Sequence, residues 1–256
     1  MSEANGPPLD DAERMVLGAA RELKDGEICF VGVGVPSLAA MLARRTHAPG
    51  LVLIYESGAI GTNPPSPPLS TGSPTVIEDC AMIGSCLDVF ATLQAGRFDL
   101  GLLSAAQVDR YGNLNSTVIG DYRHPKLRLV GSGGAHDIAC LAREVIVIMP
   151  HDPRRFVERV DFLTSPGFRS DANGVDPGAV RGGGPRCVVT PRARFDFEAG
   201  ELTLNAVFEG FSADEAVEGF GWSLPRRERV ETLPPFEASA VEIMRKEIRD
   251  PLAARK

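Results

Sequence analysis

The chain has 256 residues, of which 43% are hydrophobic and 24% are charged, a composition typical of a globular protein with one hydrophobic core or at most two. Its 34 acidic and 27 basic residues give a net charge of -7, which disfavours nucleic acid or an anionic membrane surface as a partner. The first residues lack the basic start and apolar run of a targeting signal, and no apolar stretch reaches the roughly 18 residues of a membrane span, so we expect a cytoplasmic protein.

Cysteine and histidine spacing gives no sign of a disulfide framework or a metal site. The five cysteines are odd in number, form no CxxC pair and lie mostly in apolar segments, which predicts buried free thiols: Cys29, Cys80, Cys86, Cys140 and Cys187. The four histidines do not pair on one helix face, so we expect no metal ion: His47, His124, His136 and His151.

The first part of the chain alternates helices with apolar strands. Helical spacing of apolar residues predicts a helix over 11–24, capped by Asp10 or Asp11 and followed by Gly26. A continuous apolar run predicts a buried strand over 28–35, and Pro36 with Ser37 then opens a second helix. Further predicted elements are strands at 51–55, from 99 and at 145–149, and a short helix after GSGGAHD at 131–137.

From Cys187 onward the pattern changes to short strands. CVVT, RFDF and LTLN predict an antiparallel extension, with Glu198, Ala199 and Gly200 at a hairpin turn. SADEAVEGF at 212–220 and the charged segment 238–256 predict peripheral helices.

These elements predict an α/β fold, with an open and mostly parallel sheet flanked by helices and a C-terminal antiparallel extension. We expect residues 1–256 to form one domain, with 1–10 disordered. The Pro-rich stretch 62–74 excludes a helix or a central strand and predicts a loop, ordered or flexible, near any site at Glu56.

Glu56 is the first candidate for chemistry. It directly follows the strand LVLIY and precedes Ser57 and Gly58, at the carboxyl end of a buried strand, where open α/β sheets form ligand crevices. Position alone also allows Glu56 to cap the next segment or to lie in solvent.

The second candidate is the glycine cluster in LVGSGGAHD at 129–137, between a strand end and a helix start. The amides of Gly133, Gly134 and Ala135 can point together at an anion, although a plain tight turn would use the same glycines. The cluster is not a phosphate-binding P-loop, because the Lys-Ser/Thr ending is missing.

Two other motif interpretations are weaker. GVGVPS at 32–37 resembles a dinucleotide fingerprint but lacks the third glycine. Ser132 loosely resembles a nucleophile elbow, but the first glycine of that motif is absent and only Asp137 and His151 could complete a triad.

Long non-repetitive stretches carry a resemblance to a known family. FVGVGVPSLAAMLARRTHAPG, YESGAIG, AAQVDRYGNLNSTVIGDYRHPKLRLVGSGGAHDIA and DFLTSPGF, in this order, resemble the B (beta) subunits of glutaconate CoA-transferases, which belong to the family I coenzyme A transferases. The resemblance spans about residues 11–220. It implies an open α/β fold, a partner A (alpha) subunit, and a heterotetramer or larger assembly.

The resemblance also implies roles for the two candidate sites. It maps the catalytic glutamate onto Glu56 and the GxGGA loop onto Gly131 to Ala135, in which Gly133, Gly134 and Ala135 are the expected oxyanion-binding or CoA-binding residues. A carboxylate nucleophile can exchange thioesters with coenzyme A as a substrate and with no permanently bound cofactor.

The acid that accepts CoA stays open. Family members acting on 3-oxoacids usually carry an asparagine two residues before the first glycine, where this chain has Phe30, so the glutaconate-like branch and a dicarboxylic or unsaturated acid are favoured. Ser57, Gly58, Gln107, Asp109 and Asn113 are candidates for lining the substrate cleft. For the last three, a polar strand-to-turn segment of this kind is at least as often structural.

Three functional hypotheses follow. The first is CoA transfer through Glu56. The second keeps the fold and the CoA ligand but changes the reaction to acyl-CoA decarboxylation or hydrolysis. The third is a non-catalytic sugar-phosphate sensor of a related fold, which would require neither Glu56 nor a partner subunit.

Overall fold

The computed structural model describes residues 7–168 and 180–248, and this part of the chain forms fifteen strands and five α-helices. The helices are α1 (Asp11–Arg21), α2 (Val35–Arg45), α3 (Cys86–Gln94), α4 (Ala135–Leu141) and α5 (Ala238–Ile243). The strands are β1 (Ile28–Val31), β2 (Val52–Tyr55), β3 (Ala59–Thr62), β4 (Met82–Ile83), β5 (Leu100–Leu103), β6 (Gln107–Asp109), β7 (Leu114–Asn115), β8 (Val118–Gly120), β9 (Pro125–Arg128), β10 (Glu144–Ile148), β11 (Phe156–Val157), β12 (Pro185–Val189), β13 (Ala193–Glu198), β14 (Glu201–Phe208) and β15 (Arg226–Leu233).

One ten-stranded sheet organises the molecule, in the order β15-β14-β13-β12-β10-β5-β1-β2-β3-β4. Its five central strands, from β12 to β2, are all parallel. Their continuous apolar sequences suit strands that are covered on both faces. The prediction of an open, mostly parallel α/β sheet is confirmed.

Helices cover both faces of this sheet and create two hydrophobic clusters. One face is covered by α1, α2 and the C-terminal segment Met244–Ile248, and Tyr55 and Phe208 are buried there. α3 and α4 pack on the other, around Phe30, Phe98 and Val147. Burial of apolar side chains on both faces of the sheet fixes the parallel strands in place, so that their carboxyl ends lie along one edge.

The antiparallel extension is present as predicted. β12, β13 and β14 pair antiparallel in sequence. Ala199 and Gly200 form the β13–β14 turn with φ values of 50° and 78°, as a two-residue hairpin turn of the mirror-image type requires. The sheet then continues through β15, parallel to β14, a strand that the sequence pattern did not predict.

Several predicted boundaries differ from the structure. α1 ends at Arg21 rather than at 24, and it starts with a capping box in which Asp10 and Glu13 bond each other's backbone N–H. β1 ends at Val31 rather than at 35, because α2 already begins at Val35 after Gly34, whose φ is 79°.

The N-terminal and C-terminal expectations are met only in part. Residues 7–10 are ordered rather than disordered, since Leu9 packs against the core and Asp10 caps α1; residues 1–6 lie outside the described residues. The predicted C-terminal helix appears as α5 followed by a π-helical segment, Met244–Ile248, and positions 249–256 lie outside the described residues.

The prediction of a helix at 212–220 is wrong, because the segment forms turns. Ser212 and Glu215 form a reciprocal cap, which opens a helical turn. The segment nevertheless continues as successive turns, because Gly219 adopts a φ of 76° and Phe220 stacks on Phe156 with ring centroids 4.1 Å apart. The hydrogen-bond pattern changes within this segment, because the Ala216 N–H donates to the Ser212 carbonyl but the Val217 N–H donates to the Asp214 carbonyl, so no regular α-helix forms.

The Pro-rich stretch after β3 is an ordered loop. The Arg45 guanidinium donates to the Pro64 carbonyl at 2.8 Å, and the Thr62 hydroxyl donates to the carbonyl of Val76 in a short 3₁₀ helix, Pro74–Ile77. The loop is thus anchored on the α2 side and at its far end, beside the turn that carries Glu56.

All five cysteines are free thiols, as predicted. Cys29, Cys140 and Cys187 are buried, but Cys80 is only partly buried and Cys86, which begins α3 on the surface, is exposed, which corrects the expectation of burial for these two residues. In the described part of the chain, none of the helices has the length and apolar character needed to cross a membrane.

Candidate active site

Glu56 lies in a tight turn at the carboxyl end of β2. The Gly58 N–H donates to the Tyr55 carbonyl at 3.0 Å, which makes Glu56 and Ser57 the central residues of the turn. Gly58 has a φ of 114°, and a Cβ there would meet the Gly84 carbonyl oxygen at 2.1 Å, so only glycine fits. This turn holds the partly buried Glu56 at the sheet edge where parallel strands end.

Tyr55 anchors this turn from within the core. Its hydroxyl bonds the Ser37 hydroxyl at 2.6 Å, and both side chains are buried. Burial raises the pKa of Tyr55 to about 12, so its hydroxyl stays protonated at neutral pH. The bond joins the last residue of β2 to the first turn of α2 and fixes the backbone that precedes Glu56.

The two residues that follow Glu56 make structural contacts of their own. The exposed Ser57 donates its hydroxyl to the Thr71 carbonyl at 2.5 Å, which joins the turn to the Pro-rich loop. Gly58 packs on Gly84, whose N–H donates to the Gly58 carbonyl at 2.8 Å. Both predicted cleft residues therefore lie directly beside Glu56, in roles that shape the turn.

The glycine loop 131–135 connects the β8–β9 hairpin to α4. Ser116 holds its first residue at two points, because Gly131 N–H donates to the Ser116 carbonyl at 2.9 Å and the Ser116 hydroxyl donates to the Gly131 carbonyl at 2.8 Å. Gly133 adopts a φ of 47°, which side-chain-bearing residues rarely adopt.

The three predicted amide donors are not equivalent. The Ala135 N–H donates to the Ser132 carbonyl at 2.8 Å, so it closes the turn within the loop. The N–H groups of Gly133 and Gly134 have no acceptor among residues 7–168 and 180–248. The loop thus presents two main-chain N–H donors without an acceptor in the described residues, those of Gly133 and Gly134. The third predicted donor, the N–H of Ala135, already has an acceptor within the loop.

Glu56 and the glycine loop converge in space. A Cβ placed on Gly134 would lie 3.4 Å from Oε2 of Glu56 and 2.8 Å from Cζ of Phe90. The Cα of Gly134 is consequently within about 5 Å of the Glu56 carboxylate. The Glu56 carboxylate and Gly134, 78 residues apart in sequence, are therefore close neighbours in the fold.

Gln107 lies at a different kind of position. Its side chain is buried, its carbonyl oxygen accepts from Asn115 Nδ2 at 2.7 Å and from the Asp161 N–H at 3.1 Å, and its amide donates to the Asp161 carboxylate at 3.2 Å. Both the oxygen and the nitrogen of this amide are engaged inside the fold, which favours the structural interpretation of Gln107.

Asn113 and Asp109 are engaged in the same way. The fully buried Asn113 donates to Asp109 Oδ2 at 3.0 Å and accepts from the Gly167 N–H at 2.8 Å. Burial raises the pKa of Asp109, although hydrogen bonds from Asn113 and Tyr111 oppose the rise. These contacts hold the segment DFLTSPGF against β6 and β7, and the structure does not bring Asn113 or Gln107 into the Glu56–Gly134 contact.

The competing motif interpretations gain no support. Gly34 serves as the N-terminal cap of α2 with a positive φ. Ser132 is exposed, and His151 bonds Thr190 at 3.1 Å rather than a serine nucleophile. Within residues 7–168 and 180–248, no three or more His, Cys, Asp or Glu side chains are grouped to hold a metal ion.

The model of the family described as coenzyme A transferase matches residues 12–174, which include Glu56 and the glycine loop. The chain belongs to the coenzyme A transferase family. It is 43% identical over 229 residues to the B subunit of 3-oxoadipate CoA-transferase of Pseudomonas knackmussii, with 88% of each chain covered. It is 34% identical over 247 residues to the B subunit of glutaconate CoA-transferase of Acidaminococcus fermentans, covering 92% of this chain and 91% of the relative.

The fold agrees with that membership. The crystal structure of glutaconate coenzyme A-transferase from Acidaminococcus fermentans superposes with a TM-score of 0.87 and 30% identity, covering 98% of both chains. This CoA-transferase fold is therefore shared over nearly the whole chain. The enzyme assignment and the use of coenzyme A as a substrate follow from the family.

Two residues that contact the candidate site were missed by sequence reasoning. Phe90 touches Gly134 from α3 and packs edge-to-face on Phe30 with centroids 5.7 Å apart. Ser116 anchors Gly131. A lone aromatic residue on an amphipathic helix gives no sequence signal of such a contact, whereas Ser116 falls within the stretch that resembles the family.

Proposed function

We propose that Glu56 is the nucleophile through which this CoA-transferase moves CoA from an acyl-CoA to a free carboxylic acid. The observation that supports the proposal is the approach of the Glu56 carboxylate to Gly134: its Oε2 lies 3.4 Å from a Cβ placed on that glycine. The N–H groups of Gly133 and Gly134 have no acceptor in the described part of the chain. A nucleophile and main-chain donors are the two groups that acyl transfer requires at one carbonyl.

The reaction needs no net input of electrons or phosphate. A Glu56 oxygen attacks the thioester carbonyl, and the resulting tetrahedral intermediate expels CoA thiolate to leave a mixed anhydride. The thiolate then attacks the glutamyl carbonyl, releases the first acid as its carboxylate and forms a Glu56–CoA thioester. The acceptor carboxylate reverses the two steps, takes the CoA and restores the free glutamate.

Each tetrahedral intermediate carries an oxyanion that the Gly133 and Gly134 amides can bind. Losing one preorganised donor of this kind typically costs on the order of 100- to 1000-fold in rate. Ala135 contributes indirectly in this scheme, because its N–H bond to Ser132 fixes the turn from which the other two amides project.

A second polypeptide is part of the proposal, because the relatives of this chain are named as B subunits. We expect an A (alpha) subunit and a heterotetramer or larger assembly in the cytoplasm. Met82, Ile83 and Leu87 are exposed apolar side chains on β4 and at the start of α3, next to the Gly58–Gly84 contact of the active-site turn. An apolar surface at this position suits the alpha subunit, which would then close the site on its open side.

The acid is expected to be dicarboxylic or unsaturated. Glutaconate and 3-oxoadipate, named for two relatives, are both dicarboxylates, and glutaconate is also unsaturated. The two names together favour a second carboxylate over a double bond as the common feature.

Glutamate variants test the proposal in the complex with the alpha subunit. Glu56→Ala should lower kcat for CoA transfer by more than about 1000-fold, and Glu56→Asp by about 100-fold because its carboxylate is withdrawn by roughly 1 Å. Glu78→Ala is the matched control, since Glu78 is an exposed glutamate beside the Pro-rich loop. Turnover that survives Glu56→Ala would reject the nucleophile and favour decarboxylation or direct hydrolysis.

A further inference from the structure

A basic cleft lies at the carboxyl end of β5, next to the glycine loop. It has a volume of about 570 Å³, and Ser104, Ser116, Arg128, Val130 and Arg155 are among the residues that line it. The lining contains two arginines and no acidic residue. Ser116 lines this cleft and also anchors Gly131, so the glycine loop lies directly beside the cleft.

Strand register places the cleft within reach of Glu56. Phe30 of β1 is paired with Ile54 on one side and with Gly101 on the other, so β2 and β5 end almost level. Glu56 follows Ile54 by two residues, and Ser104 follows Gly101 by three. Two strand spacings separate β2 from β5, which puts the Cα atoms of Glu56 and Ser104 roughly 10 Å apart.

The two arginines are available to an anion. Arg155 is partly buried and donates one bond to the Ala105 carbonyl at 3.3 Å. Arg128 donates to the Tyr122 carbonyl at 2.6 Å and lies 4.5 Å from the centre of its ring. In the part of the chain that the structure describes, neither guanidinium pairs with an acidic side chain, whereas neighbouring Arg154 is bound to Asp152.

We propose that this cleft binds the second carboxylate of a dicarboxylic substrate, with Arg155 as its main partner and Arg128 at the rim. The planar guanidinium fork matches a carboxylate in two parallel hydrogen bonds, and the hydroxyl of Ser104, another lining residue, can add a donor. The inference rests on the proposed function, because Glu56 must hold the reacting end of the same molecule.

The separation of the two sites favours a carboxylate over the phosphates of CoA. The CoA phosphates are joined to the thioester by the whole pantetheine arm, which is longer than the roughly 10 Å between Glu56 and Ser104. A short dicarboxylic chain, extended by the reach of an arginine side chain, fits that distance. The cleft would therefore select the acid, and the CoA moiety would occupy another part of the assembled enzyme.

The test compares two acids in the complex with the alpha subunit. One dicarboxylic acid and its monocarboxylic analogue of equal chain length serve as acceptors at saturating acyl-CoA. Arg155→Gln should lower kcat/KM for the dicarboxylic acid roughly 10- to 100-fold, mainly through KM, and leave the monocarboxylic acid nearly unchanged. Arg155→Lys should retain part of the preference, and Arg128→Gln should cause a smaller loss because Arg128 is exposed.

Arg154→Gln is the matched control, since Arg154 is the adjacent arginine and is engaged by Asp152 outside the cleft lining. Equal losses for both acids, a rise in the KM for acyl-CoA alone, or a wild-type preference for the monocarboxylic acid would each overturn the inference. Arg128→Gln lies on a surface strand and keeps the test valid if Arg155→Gln fails to fold. If Glu56→Ala stays active, the proposed function has failed instead; if Glu56 is essential and the arginine variants do not discriminate, only this inference has failed.

Discussion

Gly134→Ala probes the contact between the glycine loop and Glu56 without straining the backbone. Gly134 has a φ of -81°, which alanine adopts freely, so the substitution acts only through the added methyl group. That methyl would lie 2.8 Å from Cζ of Phe90, against an ordinary carbon–carbon contact of about 3.5 to 4.0 Å. The loop or the ring must therefore move by about 1 Å.

A shift of that size in a preorganised donor has a large expected cost. We expect kcat for CoA transfer to fall by about 100-fold, because a 1 Å misplacement of a positioned group costs about that factor. The free energy of unfolding should fall by only about 1 to 3 kcal/mol, the usual cost of overpacking. Steady-state kinetics of the complex and thermal unfolding of the same samples separate the two effects.

The source of the effect can be isolated with a second substitution. Phe90→Leu removes Cζ, so the double variant Gly134→Ala with Phe90→Leu should recover at least about 10-fold of the lost rate, a coupling that a double-mutant cycle measures. Gly26→Ala is the control, since a Cβ there meets nothing within 4 Å and Gly26 precedes β1 at the sheet edge opposite Glu56. Its φ of 79° should cost about 1 to 2 kcal/mol of stability with little change in kcat. A kcat for Gly134→Ala within a factor of about 3 of wild type would refute the reasoning.

Three further predictions concern stability. Ser37→Ala should lower the free energy of unfolding by about 1 to 3 kcal/mol, measured by denaturant titration, because it leaves the buried Tyr55 hydroxyl without its partner; an unchanged midpoint would contradict this. Burial lowers the pKa of His151 to about 4, so the unfolded chain takes up a proton below its own pKa near 6.5 while the folded chain does not until pH 4. Wild type should therefore lose up to about 2 kcal/mol between pH 6.5 and 4, after allowance for partial exposure, and His151→Gln should lose less over that range; parallel curves would refute the assignment. Arg186→Met leaves Glu27 and the more exposed Glu144 without their shared cation, and should lower the free energy of unfolding by about 3 kcal/mol; adding Glu27→Met should restore part of the loss of melting temperature, and no recovery would show that the Arg186–Glu27 pair is not the cause.

The parallel sheet could be predicted because its strands are continuous apolar runs separated by helical spacing. β15 could not, because its sequence RRERVETL is charged and mostly exposed, without the alternation that marks a half-buried strand. The segment 212–220 illustrates the opposite error. Its capping box is a true local signal, but the stacking of Phe220 on Phe156 is a long-range contact that local propensity does not contain.

The candidate site was also predictable from the sequence only in part. The position of Glu56 at the carboxyl end of a buried strand was predictable from sequence. The approach of the glycine loop was not, because the loop follows β9 of a separate two-stranded sheet. The buried roles of Gln107 and Asn113 were not, because their partners Asp161 and Gly167 lie 54 residues away. The sequence around Arg155 gave no sign of a binding role either, because pairs of adjacent arginines are common on protein surfaces. Only the fold places Arg155 at the carboxyl end of β5.

Covalent trapping tests the central claim most directly. The complex is incubated with acyl-CoA, reduced with borohydride and digested, and the peptide that contains Glu56 is examined by mass spectrometry. A Glu56–CoA thioester predicts reduction of that side chain to an alcohol, only when acyl-CoA is present, together with loss of transfer activity. Full turnover with an unmodified Glu56, or reduction of a different side chain, would contradict the account.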